Sequence, residues 1–201
     1  MLEYEKKIIL TYQEYMSILK FKNKACNSYV QTNYYYDTDN FEMNEIGITY
    51  RIREKQGKYK ATVKKHNFKN GKCNIERYAY VKNERDTRFF ENNLLKLQGA
   101  LKTERIVFVP HDGIAVALDK NLYLGVIDYE LEVEYLPQIE FLIESVLGYY
   151  ALELRYSGNH TSEEEFISRA NNAKSKSHRF FERKKELLKK GNYEICSRRD
   201  N

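Results

Sequence analysis

Proline occurs only twice and glycine nine times in this 201-residue chain, and neither is concentrated in a low-complexity stretch or an internal repeat. With so few breakers, the boundaries between elements are weakly marked, and a single domain is expected over residues 1–201. Cysteine is equally sparse. Cys26, Cys73 and Cys196 are an odd set without CxxC spacing, which excludes a disulfide framework and a zinc knuckle. The four histidines, His66, His111, His160 and His178, show no ligand spacing. No apolar run approaches the roughly 20 residues that span a bilayer, and the start MLEYEKK lacks the apolar core of a signal peptide. A cytoplasmic, reduced protein is expected. Its Asn159-His160-Thr161 sequon would then never meet a glycosylating enzyme. There is also no GxxxxGK[ST] phosphate loop, HExxH helix or dinucleotide fingerprint.

What the chain does have is charge, in a particular arrangement. Hydrophobic content of 42% and charged content of 31% are ordinary for a globular protein, and the net charge is +5. That excess is local. Between Lys174 and Arg199 ten Lys and Arg face Glu182, Glu186 and Glu194, so the rest of the chain is slightly acidic. Phe180, Phe181, Leu187 and Leu188 give this basic segment an apolar stripe, as expected of a solvated helix packed on one face. Nucleic-acid binding is not expected, because none of the 18 tyrosines sits in an interleaved basic run.

Alternation at a period of two predicts strands at Glu3 to Leu10, Tyr29 to Thr38, Ile46 to Glu54, Lys58 to His66, Asn74 to Val81, Glu104 to Val109, Ile114 to Asp119 and Gly125 to Tyr135. Helices are predicted at Thr11 to Lys20, Asp86 to Leu97, Pro137 to Leu147, Ser162 to Ala170 and Ser177 to Lys189. Gln56-Gly57 and Asn70-Gly71 mark hairpins. Side chains at i and i+2 of a strand share one face, about 7 Å apart. Glu3, Glu5 and Lys7 therefore line up, as do Asp128, Glu130, Glu132 and Glu134, and, with opposite sign, Arg51 with Arg53 and Lys60 with Lys64. Acids gather in the first, fifth and last strands and cations in the third and fourth, whereas a solvent face usually intersperses both signs. The opposite parity, Ile46, Ile48, Tyr50, Ile52, Tyr59, Ala61 and Val63, needs burial. Two architectures satisfy this pattern: a sandwich with its charges outward, or a closed antiparallel barrel with a polar interior and helices over its apolar outside.

Glu3-x-Glu5-x-Lys7, QTNYYYDT at 31–38, YRIRE at 50–54, ATVK at 61–64, Glu76, LDKNLYLG at 118–125, DYELEVE at 128–134 and SKSHRFFER at 175–183 together resemble the CYTH family, or triphosphate tunnel metalloenzymes. The resemblance runs from Glu3 to about Arg183 and is nearest to the bacterial subgroup of about this length. It implies an α+β fold, a closed eight-stranded antiparallel β-barrel forming a tunnel with a charged interior, flanked by helices. Tunnel strands would cover about 3–135, a helical part 137–190, and the basic tail 191–201 would be disordered. It further implies that Glu3, Glu5, Glu130 and Glu132 hold Mg2+ or Mn2+, with Glu76 and Asp119 as further acidic positions. Lys7, Arg51, Arg53, Lys64 and Arg105 would bind phosphate, and Lys176 and Arg179 would close the tunnel around it. Tyr78 stands where many members carry a second glutamate after the one at Glu76. Catalysis would rest on Glu130, Glu132 and Lys7. The expected activity is metal-dependent hydrolysis of a small-molecule triphosphate by a monomer or homodimer. The alternatives are a class IV adenylyl cyclase making cyclic AMP and a non-catalytic polyphosphate- or nucleotide-binding module. Asp37 either points into the tunnel or begins a turn.

Overall fold

A computed structural model of the chain describes residues 2–20, 27–66, 73–159 and 161–197. Nine strands, β1 (Leu2–Glu3), β2 (Glu5–Leu10), β3 (Asn27–Asp37), β4 (Ile48–Lys55), β5 (Lys58–His66), β6 (Cys73–Val81), β7 (Lys96–His111), β8 (Ile114–Tyr123) and β9 (Val126–Tyr135), form one antiparallel sheet. Five helices flank it: α1 (Tyr12–Lys20), α2 (Glu42–Glu45), α3 (Ile143–Tyr156), α4 (Glu163–Asn172) and α5 (Lys176–Ser197). The sheet order is β1-β6-β5-β4-β3-β7-β8-β9-β2. Its two ends are successive pieces of one N-terminal segment, separated only by Tyr4: β1 pairs with β6, and β2 pairs with β9. The α+β class and the antiparallel strands agree with expectation, with β1 and β2 together making the first of eight strands. A pairing that would close the barrel is absent from the described ladders.

The parity argument decides the core. Ile8 and Leu10 of β2, Ile114, Val116 and Leu118 of β8, and Leu131 and Val133 of β9 turn their apolar side toward α1, α3 and α4, meeting Ile18, Leu147, Leu154 and Phe166. Each fully buried aliphatic side chain there contributes about 1.5–3 kcal/mol. Ile52, Ala61 and Val63 of the opposite wall pack beneath Phe90. Ile46, expected on this face, precedes the strand and is exposed.

Local capping fixes the helices over this surface. Thr11 and Glu14 form a reciprocal capping box at the start of α1, with Glu14 N donating to Thr11 Oγ1 and Thr11 N to Glu14 Oε2. The buried Glu14 carboxylate also takes both arms of Arg169 from α4, at 2.7 and 2.9 Å. Burial alone would raise the Glu14 pKa, but the Arg169 and Thr11 hydrogen bonds lower it. No helix among the described residues is long and apolar enough to cross a membrane.

Four expectations are corrected. The helix expected at Asp86 to Leu97 is instead a 3-10 turn, Arg88–Phe90, followed by Glu91 in the left-handed region at φ 54° and the start of β7 at Lys96. The helix gives way because Phe90 is drawn under the β3–β5 wall, against Tyr36 and Tyr50. β7 is ten residues longer than its apolar core suggested, since it passes through a bulge where Tyr35 pairs with Gly99 and Tyr36 with Leu97. Around Pro137 the chain forms a 3-10 segment, and the α-helix proper begins at Ile143 and runs to Tyr156. α5 continues past the expected end at Lys189 as far as Ser197.

Gly99 sits in that bulge at φ +147°, and a Cβ there would meet Phe180 Cζ of α5 at 2.9 Å. Gly99→Ala therefore strains the backbone and pushes against α5, and is expected to cost about 1–3 kcal/mol. Urea denaturation of the variant against wild type measures it.

Candidate active site

The face of the sheet opposite α1, α3 and α4 carries the ionic side chains, and they converge. Glu5 and Lys7 of β2, Arg51 and Arg53 of β4, Lys64 of β5, Arg105 of β7 and Glu132 and Glu134 of β9 line one cavity of about 100 Å³. Ser175, Lys176 and Ser177, at the entrance to α5, line it too. The charges expected on one strand face thus gather inside a common pocket instead of fanning out into solvent.

α5 reaches the cavity with its N-terminus. Ser175 Oγ accepts from the His178 amide, and Thr49 Oγ1 donates to Ser177 Oγ at 3.3 Å. One turn on, Phe180 and Phe181 are buried with Tyr35, Phe41, Leu101 and Tyr123. This aromatic anchor holds the first turn of the helix against the pocket, with its positive dipole end facing inward.

The acids are concentrated on one wall and are tightly held. Lys176 Nζ lies 3.0 Å from Asp119, 2.8 Å from Glu130 and 2.9 Å from Glu132. Arg105 binds Asp119 through Nε and Nη2 at 2.8 and 2.7 Å and reaches Glu132 at 3.1 Å. Arg179 spans Asp128 and Glu130. Lys7 donates to Glu5 at 2.6 Å. Burial works against the charged forms of Lys7, Lys176, Arg105 and Arg179, but the neighbouring carboxylates prevail and raise all four pKa values. Burial likewise opposes ionisation of Glu132, yet Lys176, Arg105 and Lys7 hold it well below the usual carboxylate range. Glu134 goes the other way, pushed up to about 7 by burial and by the neighbouring Glu132.

The β3–β4 wall is different. Arg53 Nε donates to the neutral Asn33 Oδ1 at 2.9 Å, and Arg51 Nε is buried without a partner. Among the described residues neither guanidinium pairs with a carboxylate. Burial, followed by repulsion from Arg51 and Arg105, lowers the Arg53 pKa to about 10. Buried polar atoms nearby, Gln31 Nε2, Asn33 Nδ2 and Thr62 Oγ1, also lack partners.

Among the described residues two groups of carboxylates could hold a metal ion: Glu5 with Glu132 and Glu134, and Asp119 with Glu130 and Glu132. In each, one oxygen per residue lies within 4.8 Å of the others. Glu132 belongs to both. Of the residues singled out from the sequence, Glu5, Lys7, Arg51, Arg53, Lys64, Arg105, Glu132 and Lys176 line the cavity. Asp119 and Glu130 are fully buried behind Lys176, and Arg179 is held by acids. The side chains of Glu3 and Glu76 lie outside the described residues; their backbones run in β1 and β6. Tyr78 is exposed, with Lys60 Nζ 4.0 Å from its ring centre. Asp37 ends β3 and ties down the turn that follows, accepting from the Thr38, Met43 and Asn44 amides around the start of α2. Glu134, Tyr35, Thr49, Ser175 and Ser177 were missed as site residues. Parity was the available signal for Tyr35, which pairs in register with Arg51, and for Glu134.

Comparison with known proteins places this pocket in context. The chain is 29% identical over 147 residues to the Bacillus subtilis (strain 168) protein named "Putative triphosphatase YjbK", covering 66% of this chain and 77% of that one. In fold it resembles the crystal structure of a protein from Bacillus halodurans titled a "putative adenylate cyclase", with TM-score 0.62 and 19% identity over 90% of this chain and 97% of the other. It also resembles HpAC1 from Hippeastrum, described as a "putative adenylyl cyclase" with a dominant triphosphatase activity, with TM-score 0.59 and 16% identity over 82% and 99% of the two chains. A profile of the CYTH domain matches residues 1–138, the whole strand-forming part of the molecule, and the chain therefore belongs to the CYTH family.

Proposed function

We propose that this protein is a triphosphatase, hydrolysing a phosphoanhydride bond of a small-molecule triphosphate with the help of Mg2+ or Mn2+. In this reading the sheet closes into a tunnel through the shared N-terminal segment. The observation that carries the proposal is the pair Arg51 and Arg53, half-buried in the pocket and, among the described residues, without a carboxylate partner, set across from a wall of acids. Leaving a buried cation without a counter-charge is costly unless a ligand supplies one, and a guanidinium fork fits phosphate oxygens. Lys64, on β5 beside β4, and Lys7, on β2, line the same pocket and would extend the anion path.

The acid wall fits a hard divalent cation. Its donors are all carboxylate oxygens, the set such ions prefer. Glu132 and Glu134 stand close enough that one resists ionisation, so a cation between them would relieve a repulsion already present. The metal would neutralise charge on the transferring phosphoryl group and lower the pKa of a bound water. Glu5, Glu130 and Glu132, with Asp119 behind them, are the residues we assign to hold it. Lys7, hydrogen-bonded to Glu5 at the edge of this cluster, would bind the phosphoryl group being transferred.

Phosphate release from inorganic triphosphate, thiamine triphosphate and ATP, assayed with Mg2+ and with Mn2+, is expected for at least one substrate. It should vanish on chelation and return with added metal. Cyclic nucleotide from ATP, or binding without turnover, would contradict the assignment. Arg53→Met should reduce kcat/KM for that substrate by about 10- to 100-fold, the worth of one charge-assisted hydrogen bond, while leaving the melting transition in place.

The raised Glu134 pKa has a stability consequence. A carboxyl whose folded pKa lies above its unfolded value binds extra protons when folded, so its contribution falls as pH rises from about 4.5 towards 7 and is lost above. Half of its side chain is open to solvent, which reduces the size of the effect. In chelator, Glu134→Gln should gain about 1 kcal/mol over wild type at pH 8 and close to nothing at pH 4, read by urea denaturation at both pH values.

A further inference from the structure

Resting on the triphosphatase reading, we propose that Lys176 is the resident cation of the metal site. Its ammonium occupies the place a divalent ion takes when substrate arrives, and crosses to the phosphates when that ion enters. The geometry is specific. Lys176 Nζ has three carboxylate oxygens at 2.8–3.0 Å, from Asp119, Glu130 and Glu132, and an ammonium has three donors to give. The same three residues form one of the two oxygen clusters suited to a metal, and their side chains are at most 8% exposed. A divalent ion entering this triad with the ammonium still in it would place like charges within about 4 Å, a repulsion of several kcal/mol in a protein interior.

Lys176 is also the member of the cluster able to leave. Arg105 grips Asp119 with two nitrogens, and Arg179 grips Asp128 and Glu130, so both are fixed by planar, multi-point pairing. The Lys176 stem is a flexible four-carbon chain at the first residue of α5, and it already lines the cavity that contains Arg51 and Arg53. That cavity, about 100 Å³, is smaller than the roughly 300–1,000 Å³ typical of ligand pockets, so occupancy requires side chains to re-pair. A triphosphate lying along the arginines offers the ammonium new oxygens, and its departure opens the triad. Metal and triphosphate therefore load together, each strengthening the other by the same factor, as linkage requires.

The test is Mn2+ binding to the full chain, followed by electron paramagnetic resonance, with and without imidotriphosphate as a non-hydrolysable anion. Wild type should bind Mn2+ weakly alone and on the order of tenfold or more tightly with the anion. Lys176→Met should bind Mn2+ on the order of tenfold or more tightly than wild type without the anion, and gain less from it. Equal Mn2+ affinity in the two proteins would overturn the proposal. Should the variant not fold, wild-type crystals soaked with Mn2+ and imidotriphosphate decide: Mn2+ at the triad with Lys176 Nζ moved to phosphate supports exchange, and Nζ still on the three carboxylates overturns it. Turnover enters neither readout, so a protein that exchanges its cation but releases no phosphate refutes the triphosphatase reading alone.

Discussion

The structure depends on one constraint: charges removed from water inside the sheet must find opposite charges there. Burying an isolated ion costs several kcal/mol, so every ionised group in the pocket is either neutralised by a neighbour or left waiting for a ligand. The acids of β8 and β9 meet the first condition through Lys176, Arg105 and Arg179. Arg51 and Arg53 meet the second. On the proposed reading, this asymmetry suits one wall to an anion and the other to a cation.

Everything outside the pocket makes that arrangement affordable. The outer face of β2, β8 and β9 is covered by α1, α3 and α4, and the outer face of β3–β5 by Phe90 and its neighbours. α5 is tied down by Phe180 and Phe181 in an aromatic cluster with Tyr35, with ring centroids 5.0 Å and 5.9 Å away. Gly99 supplies the backbone room for that contact. A rigid anchor one turn from Lys176 leaves mobility to the side chain itself.

Much of this was legible in the sequence because strand parity is a local property. The i, i+2 spacing of Glu130 with Glu132 and of Arg51 with Arg53 already placed each pair on one face, and the resemblance of ordered motifs supplied the family. What was not legible is tertiary. Lys176 and Arg179 read as phosphate ligands because they are basic residues in a closing motif; that they rest on Glu130 and Asp128 depends on how α5 docks. The segment 86–97 reads as helix locally, and only the apolar face of β3–β5 explains why Phe90 is buried there, packed with Tyr36, Ile52, Ala61 and Val63. β7 was underestimated because Gly99, the residue that allows its bulge, looks like a strand breaker in isolation. Tyr35 and Thr49 carry no charge and gave no signal beyond their place opposite or beside the arginines.

The most direct test of the central claim is the location of bound ligand in crystals grown with Mn2+ and a non-hydrolysable triphosphate. The account predicts an anomalous manganese peak among the carboxylates of β2, β8 and β9, with phosphate oxygens on the guanidiniums of Arg51 and Arg53. An anion bound elsewhere, with both arginines untouched, would contradict it.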